Sequence, residues 1–205
     1  MIQHIDSEFG RIMTKVKDLS LEKYTYLIFT SDNGPWLKFK HHGRSSGPLR
    51  AGKNSTFEGG HRVPFIIWGP GRIPANTSSD EVVSTIDLLP SIASLTGSIL
   101  SKKNKIDGLD VSNLLTGKSD KSPRSEFLYY TPHGFTAGMR QGKWKVLKNP
   151  KAKGKFMLFD LSLDIGESTD LAADHPEIVQ ALFKRINELD SEITKNARPV
   201  WDKKK

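Results

Sequence analysis

The 205-residue sequence predicts an α/β chain, with a helix-flanked sheet in its first hundred residues and then a small antiparallel sheet covered by one long helix. Three observations predict it. An apolar run at helical spacing leads straight into an unalternating strand-like run at 25–30. Four short strand-like runs separated by turns come after residue 125. From Pro176 onward, apolar side chains then recur at steps of three and four.

Ile5, Phe9, Ile12, Met13, Val16 and Leu19 share one helical face, with Glu8, Lys15 and Lys17 on others, so the chain opens on an amphipathic helix. Thr25-Tyr26-Leu27-Ile28-Phe29-Thr30 is aromatic and β-branched without alternation, the pattern of a strand covered on both faces. It stops at Ser31-Asp32-Asn33-Gly34-Pro35, past the carboxyl end of the strand, the edge where open α/β sheets bind ligands. Residues 35–60 are rich in Gly, Ser, His, Lys and Arg, which predicts a long ordered loop. Residues 63–68 predict a second buried strand, with Pro64 tolerated near its start and Gly69-Pro70-Gly71 closing it. A short strand is expected at 81–84. Asp87-Leu88-Leu89-Pro90 then opens a helix with proline in its first turn, and Gly97 ends it.

Past residue 100 the sequence turns rich in Ser, Lys and Asn around an apolar island at 109–115, which places a boundary there, between 1–100 and 101–205. Residues 126–131, 135–140, 143–148 and 156–161 predict successive strands of an antiparallel sheet, with Gln141-Gly142 as one turn. Val179, Leu182, Ile186, Leu189 and Ile193 give the final helix one apolar face to lay on that sheet.

A hydrophobic share of 36% with 26% charged residues is ordinary for a folded chain and excludes a disordered tail as the main content. No apolar run approaches the roughly 18 residues of a membrane span, so neither a signal peptide nor an anchor is expected in this sequence. The absence of cysteine excludes disulfides and thiolate chemistry. The net charge, 31 − 23 = +8, favours polyanions, but much of it sits in lysine clusters near 102–105, 148–155 and 203–205 that read as solvated loops and a tail.

Asp32 and Asn33 are the first chemical candidates. A carboxylate beside an amide oxygen suits a hard cation, which takes about six to eight oxygen ligands, so this pair supplies only part of a shell. By itself Asp-Asn-Gly reads as an Asx turn before it reads as a metal site. The second cluster runs Gly47-Pro48-Leu49-Arg50-Ala51-Gly52-Lys53-Asn54-Ser55-Thr56-Phe57-Glu58-Gly59-Gly60-His61-Arg62-Val63-Pro64. Its glycines allow close approach of backbone to ligand, and Lys53 can project an ammonium toward an oxyanion. It is not a nucleotide-binding Gly-x-x-x-x-Gly-Lys-Ser/Thr loop, because Asn54 comes after the lysine and no strand precedes it.

Taken in order, these clusters make the chain resemble the formylglycine-dependent, arylsulfatase-like sulfatases of the alkaline phosphatase superfamily. The likeness continues through Trp68-Gly69-Pro70-Gly71-Arg72-Ile73, Ser84-Thr85-Ile86-Asp87-Leu88-Leu89-Pro90, Met139-Arg140-Gln141-Gly142-Lys143-Trp144-Lys145 and Leu158-Phe159-Asp160-Leu161. The resemblance implies an alkaline-phosphatase-like α/β sandwich, with 1–100 the C-terminal part of its catalytic domain and 101–205 its C-terminal subdomain. It implies that Asp32 and Asn33 bind a divalent cation, calcium in this family, and that Lys53 contacts the substrate sulfate. Thr56, Glu58, Arg62 and His61 are expected to be structural, through loop hydrogen bonds and a local ion pair. His41, His42 and His133 read as loop histidines at the margin of the site.

The family nucleophile, a formylglycine made within Cys/Ser-x-Pro-x-Arg, has no counterpart here: there is no cysteine, and Ser122-Pro123-Arg124 has the wrong spacing. No catalytic nucleophile is therefore assigned, and the chain reads as the C-terminal portion of an enzyme that is exported in many family members. Its substrate class is a sulfated small molecule or anionic polysaccharide. The competing reading is a non-catalytic anion-binding remnant, or a subunit completed by another chain. Nucleic acid is not expected as a partner, because the lysines are not interleaved with aromatics. Asn54-Ser55-Thr56 and Asn76-Thr77-Ser78 are read as chance matches to the glycosylation pattern.

Overall fold

A computed structural model describes residues 2–42, 45–103, 105–131, 133–150, 152 and 154–197, with the side chains of residues 40 and 41 outside the description. Lys151, Lys153 and the basic tail at 203–205 lie outside the described residues, as does the side chain of His41. In chain order the elements are α1 (Ile2–Asp18), β1 (Leu27–Thr30), α2 (Glu58–His61), β2 (Phe65–Trp68), α3 (Leu88–Thr96), α4 (Ser112–Leu115), β3 (Glu126–Tyr130), β4 (Thr136–Gln141), β5 (Trp144–Lys148), β6 (Phe156–Asp160) and α5 (Pro176–Asn196). The fold is the predicted α/β arrangement. Among the described residues no helix is long and apolar enough to cross a membrane.

Contacts group the described residues into two units. One joins Met1–Ser31 to Pro64–Arg124, and the other joins Asp32–Val63 to Ser125–Lys205. In the first unit β1 and β2 pair antiparallel, with Phe29 opposite Ile66 and Ile28 opposite Ile67. Both strands are mostly half-buried and Ile66 is exposed, so they are not the fully covered strands that their apolar runs predict. Phe9 of α1 meets Phe29 edge-on, with centroids 5.8 Å apart, and α1 covers little else, since none of its residues is buried. After β2 the chain turns back, and Arg72 holds the turn by donating to the carbonyls of Glu22 and Thr25 while lying 3.9 Å over the Tyr26 ring.

The expected strand at 81–84 is absent. Its backbone is held by side chains instead of a ladder: Ser122 donates its N–H to Glu81 and its hydroxyl to the Val82 carbonyl. Asp87, fully buried, ties the neighbouring segments together. It accepts from the Ser84 and Leu109 N–H groups at 2.8 and 2.7 Å and forms a two-point ion pair with Arg124. α3 then runs to a left-handed Gly97, the expected stop.

The second unit holds the larger core. β3, β4, β5 and β6 form an antiparallel meander in sequence order. Side chains alternate across each strand, with a register shift at Ala137 of β4 that puts it on the face opposite Met139, so one face carries Met139, Val146 and Leu158 and the other Tyr129, Ala137, Leu147, Met157 and Phe159. α5 lays Leu182 and Ile186 on the first face, each buried side chain stabilising by about 2–3 kcal/mol. Arg185 of α5 reaches back to Glu126 with two hydrogen bonds. Phe57 packs on the second face, so the Gly-rich segment before α2 covers the side of the sheet opposite α5.

Candidate anion and cation site

The Asp32-Asn33-Gly34 turn and the Lys53 loop are joined backbone to backbone. Gly34 donates to the Gly60 carbonyl at 3.0 Å, and Lys53 donates to the Pro35 carbonyl at 2.9 Å. This closeness requires glycine. A Cβ on Gly34 would stand 1.7 Å from the Gly59 oxygen, and one on Gly52 would stand 2.3 Å from the Pro35 oxygen. The loop also turns through left-handed conformations at Ala51 and Asn54, of which the alanine is the costlier, at about 1–3 kcal/mol. The geometry thus brings Asp32, Asn33 and Lys53, separated by about twenty residues of sequence, onto two adjoining turns.

Asp32 is exposed and Asn33 is half-buried, its amide nitrogen donating to the Gly34 carbonyl at 3.1 Å. Lys53 is half-buried, with its ammonium 5.4 Å from the Trp36 ring centroid. As a cation site the pair fits a partial shell: it offers a carboxylate and an amide, and among the described residues no group of three or more His, Asp or Glu could hold a metal. The long loop expected at 35–60 contains two short helical turns, a 3-10 turn at Leu37–His42 and α2. His42 and His133 are exposed, as loop histidines are.

Beneath the loop lies a buried charge cluster whose members sit in segments that carry the family resemblance, although nothing in the sequence pairs them. Lys145, on β5, is wholly buried between Glu58 and Glu167, at 2.8 and 2.9 Å. Glu167 also accepts the Glu58 N–H at 2.6 Å through its other oxygen. The local ion pair expected between Glu58 and Arg62 is loose, with the guanidinium 4.0 Å away and that of Arg140 at 3.9 Å, so the close partner of Glu58 is Lys145. Arg50 completes the anchor, donating to the Glu167 carbonyl while lying 3.9 Å over Phe57. The expected structural role of Glu58 therefore stands, with a different partner.

The cluster perturbs its neighbours in readable directions. Burial raises the Glu167 carboxyl above its ordinary value, and Lys145 opposes that rise. Burial and then the Glu58 carboxylate push the Tyr129 phenol far up. His61 packs its ring on Tyr129, 5.2 Å between centroids, and this partial burial together with Lys145 holds the imidazole below its usual value. One signal for Lys145 was present in the sequence: it shares the inward side of β5 with Leu147, two residues on.

The same chain architecture and sequence pattern occur in known proteins. The sequence model of the sulfatase family matches residues 1–98, and that of the N-sulphoglucosamine sulphohydrolase C-terminal region matches residues 52–192. Arylsulfatase A of Bos taurus is 35% identical over 214 residues, covering 92% of this chain and 41% of that protein. Among solved structures, Ps i-CgsB in complex with k-i-k-neocarrahexaose aligns with a TM-score of 0.83 at 27% identity, over 98% of this chain and 43% of that one. A Bacteroides thetaiotaomicron protein from work on glycosaminoglycan metabolism aligns with a TM-score of 0.79 at 29% identity, over 91% and 43%. The class these matches define is the α/β fold of sulfatase structures. The chain belongs to the sulfatase family and carries its C-terminal portion, spanning about two-fifths of the length of the relatives it matches.

Proposed function

We propose that this chain contributes the sulfate- and cation-binding side of a site that hydrolyses sulfate esters, on a sulfated saccharide. The observation that carries the reading is the glycine-dependent junction that sets Lys53 beside the Asp32-Asn33 turn. Arylsulfatase A and N-acetylgalactosamine-6-sulfatase among the relatives, and the carrahexaose bound to Ps i-CgsB, support the substrate class.

In this reading the Lys53 ammonium binds a sulfate oxygen and offsets the charge that grows as the ester bond breaks. Its backbone bond to Pro35 and its contact with Trp36 restrict where that ammonium can reach. Asp32 and Asn33 would hold a divalent cation, calcium by the family resemblance. Bound there, the cation supplies electrostatic stabilisation of sulfate oxygens. The formylglycine expected of the family has no counterpart among these 205 residues, so no nucleophile is assigned to this chain.

Titration of the full chain with sodium sulfate, monitored by calorimetry, tests the reading. Lys53→Ala is expected to weaken sulfate at least tenfold, the loss of one charge-assisted hydrogen bond of about 1.5–3 kcal/mol. Asp32→Asn is expected to remove the rise in melting temperature produced by calcium. Sulfate binding that is indifferent to Lys53 sinks the assignment.

A further inference from the structure

We propose that Trp36 and Phe39 form a saccharide-stacking platform beside Lys53, so that a sugar ring lies on the aromatic surface while a sulfate on it reaches the ammonium. The proposal rests on the reading of Lys53 as the sulfate ligand.

Trp36 is 43% exposed and Phe39 is 56% exposed, on a turn of a polar loop that also holds the exposed Leu37 and Lys38. The two rings are not splayed at random. They meet edge to face with centroids 4.7 Å apart, and the Phe39 N–H donates to the Trp36 carbonyl at 3.2 Å. The turn is also fixed to the Lys53 loop. Pro35 accepts the Lys53 N–H, and Gly52 packs so closely on Leu37 that a Cβ there would stand 3.0 Å from its Cγ.

That arrangement places three features of a sulfated sugar within one residue's reach. A pyranose presents a flat patch of C–H groups that stacks on an indole or phenyl face. The Lys53 ammonium stands over the Trp36 ring, 5.4 Å from its centroid, so it marks the side of the aromatic pair on which the sulfate would lie and leaves the rest of the pair to the sugar. Lys38, on the same turn and exposed, adds a cation for a neighbouring sulfate. A single-stranded nucleic acid could use the same chemistry, but it needs successive stacking faces along a cationic groove, and here the turn offers one edge-to-face pair.

The test tracks the four tryptophan indole N–H signals of the full chain by NMR, assigning Trp36 with Trp36→Phe. The probes are sodium sulfate, a carrageenan hexaose, a 6-sulfated chondroitin hexasaccharide, the desulfated form of each, and the oligonucleotide dT10. The expected result is that at least one sulfated hexasaccharide shifts the Trp36 signal and binds more tightly than sulfate or its desulfated form. The ratio of hexasaccharide to sulfate affinity should fall about tenfold in Trp36→Ala and in Phe39→Ala, the cost of one aromatic stack, and should largely survive in Trp36→Phe. Lys53→Ala should weaken both ligands. An unchanged ratio in the alanine variants overturns the platform while leaving the Lys53 site standing. So does Lys53-dependent sulfate binding with no gain from either sugar, or a Trp36 response to dT10 stronger than to both saccharides. If wild type binds neither sulfate nor saccharide, the underlying site falls, and the platform with it.

Discussion

Lys145 is the residue on which the candidate loop rests. Two buried carboxylates face one buried ammonium, and their attraction must offset the desolvation of all three. Lys145→Met keeps most of the volume and removes the charge, leaving Glu58 and Glu167 buried against each other. It is expected to cost about 3–5 kcal/mol at pH 7.5, measured by urea unfolding. The pH dependence has a definite sign. Burial already raises the Glu167 carboxyl, and Lys145 is what opposes that rise. Without Lys145 the folded state therefore holds a proton that the unfolded chain releases near the ordinary Glu value of 4.5. The variant should be closest to wild type at or below that pH and lose ground as pH rises through the raised folded value. A penalty that stays constant from about pH 4.5 to 8 would mean that the carboxylates find other partners.

At the scale of elements, the close fit of the two turns makes opposite predictions for two glycines. Gly34→Ala drives a Cβ to 1.7 Å from the Gly59 oxygen, and backbone cannot move aside as a flexible side chain does. It should destabilise by about 3 kcal/mol and separate Lys53 from the Asp32 turn, so sulfate binding falls even where the sheet stays folded. Gly10→Ala, in the middle of α1 with nothing within 4 Å of the new atom, should instead stabilise by about 0.5–1 kcal/mol. Paired melts of the two variants check both signs. How well each element could be read from sequence depends on the same physics. The runs that became β3–β6 and α5 were legible within a residue or two, because their periodicity matches a local core. So was the Gly97 stop, because a left-handed cap has one preferred residue. The 81–84 segment misled because its extended backbone is held by Ser122, forty residues away. Asp32, Asn33 and Lys53 could be picked out by residue type, whereas the close approach that joins them appears only in the contacts of Gly34 and Gly52. Glu58 and Lys145 each stand in a segment that carries the family resemblance, but their pairing across eighty-seven residues left only the faint mark of a lysine at an inward strand position.

At the scale of the whole chain, buried apolar residues are shared unevenly between the two units. Of the described buried hydrophobic residues, Ala93 and Val111 belong to the first, and the other eleven belong to the second. α1 shows the reason. Ile2, Ile5, Phe9, Ile12, Val16 and Leu19 keep to steps of three and four for more than two heptads, a stripe suited to a helical neighbour. Phe9 meets Phe29, but Ile2, Ile5, Ile12 and Leu19 remain 47–57% exposed. A helix gains stability mainly from burying such a face, so α1 has little to oppose local opening. β4 and β5, by contrast, are paired on both sides and covered by α5 on one face and Phe57's loop on the other. Hydrogen exchange of the full chain should therefore find α1 amides exchanging at least about a hundredfold faster than those of Met139, Val146 and Leu147, a gap of about 2.7 kcal/mol in opening free energy. Equal protection would mean that the stripe is covered in solution, and the exchange rates should then slow further with protein concentration if the cover is a second copy of the chain.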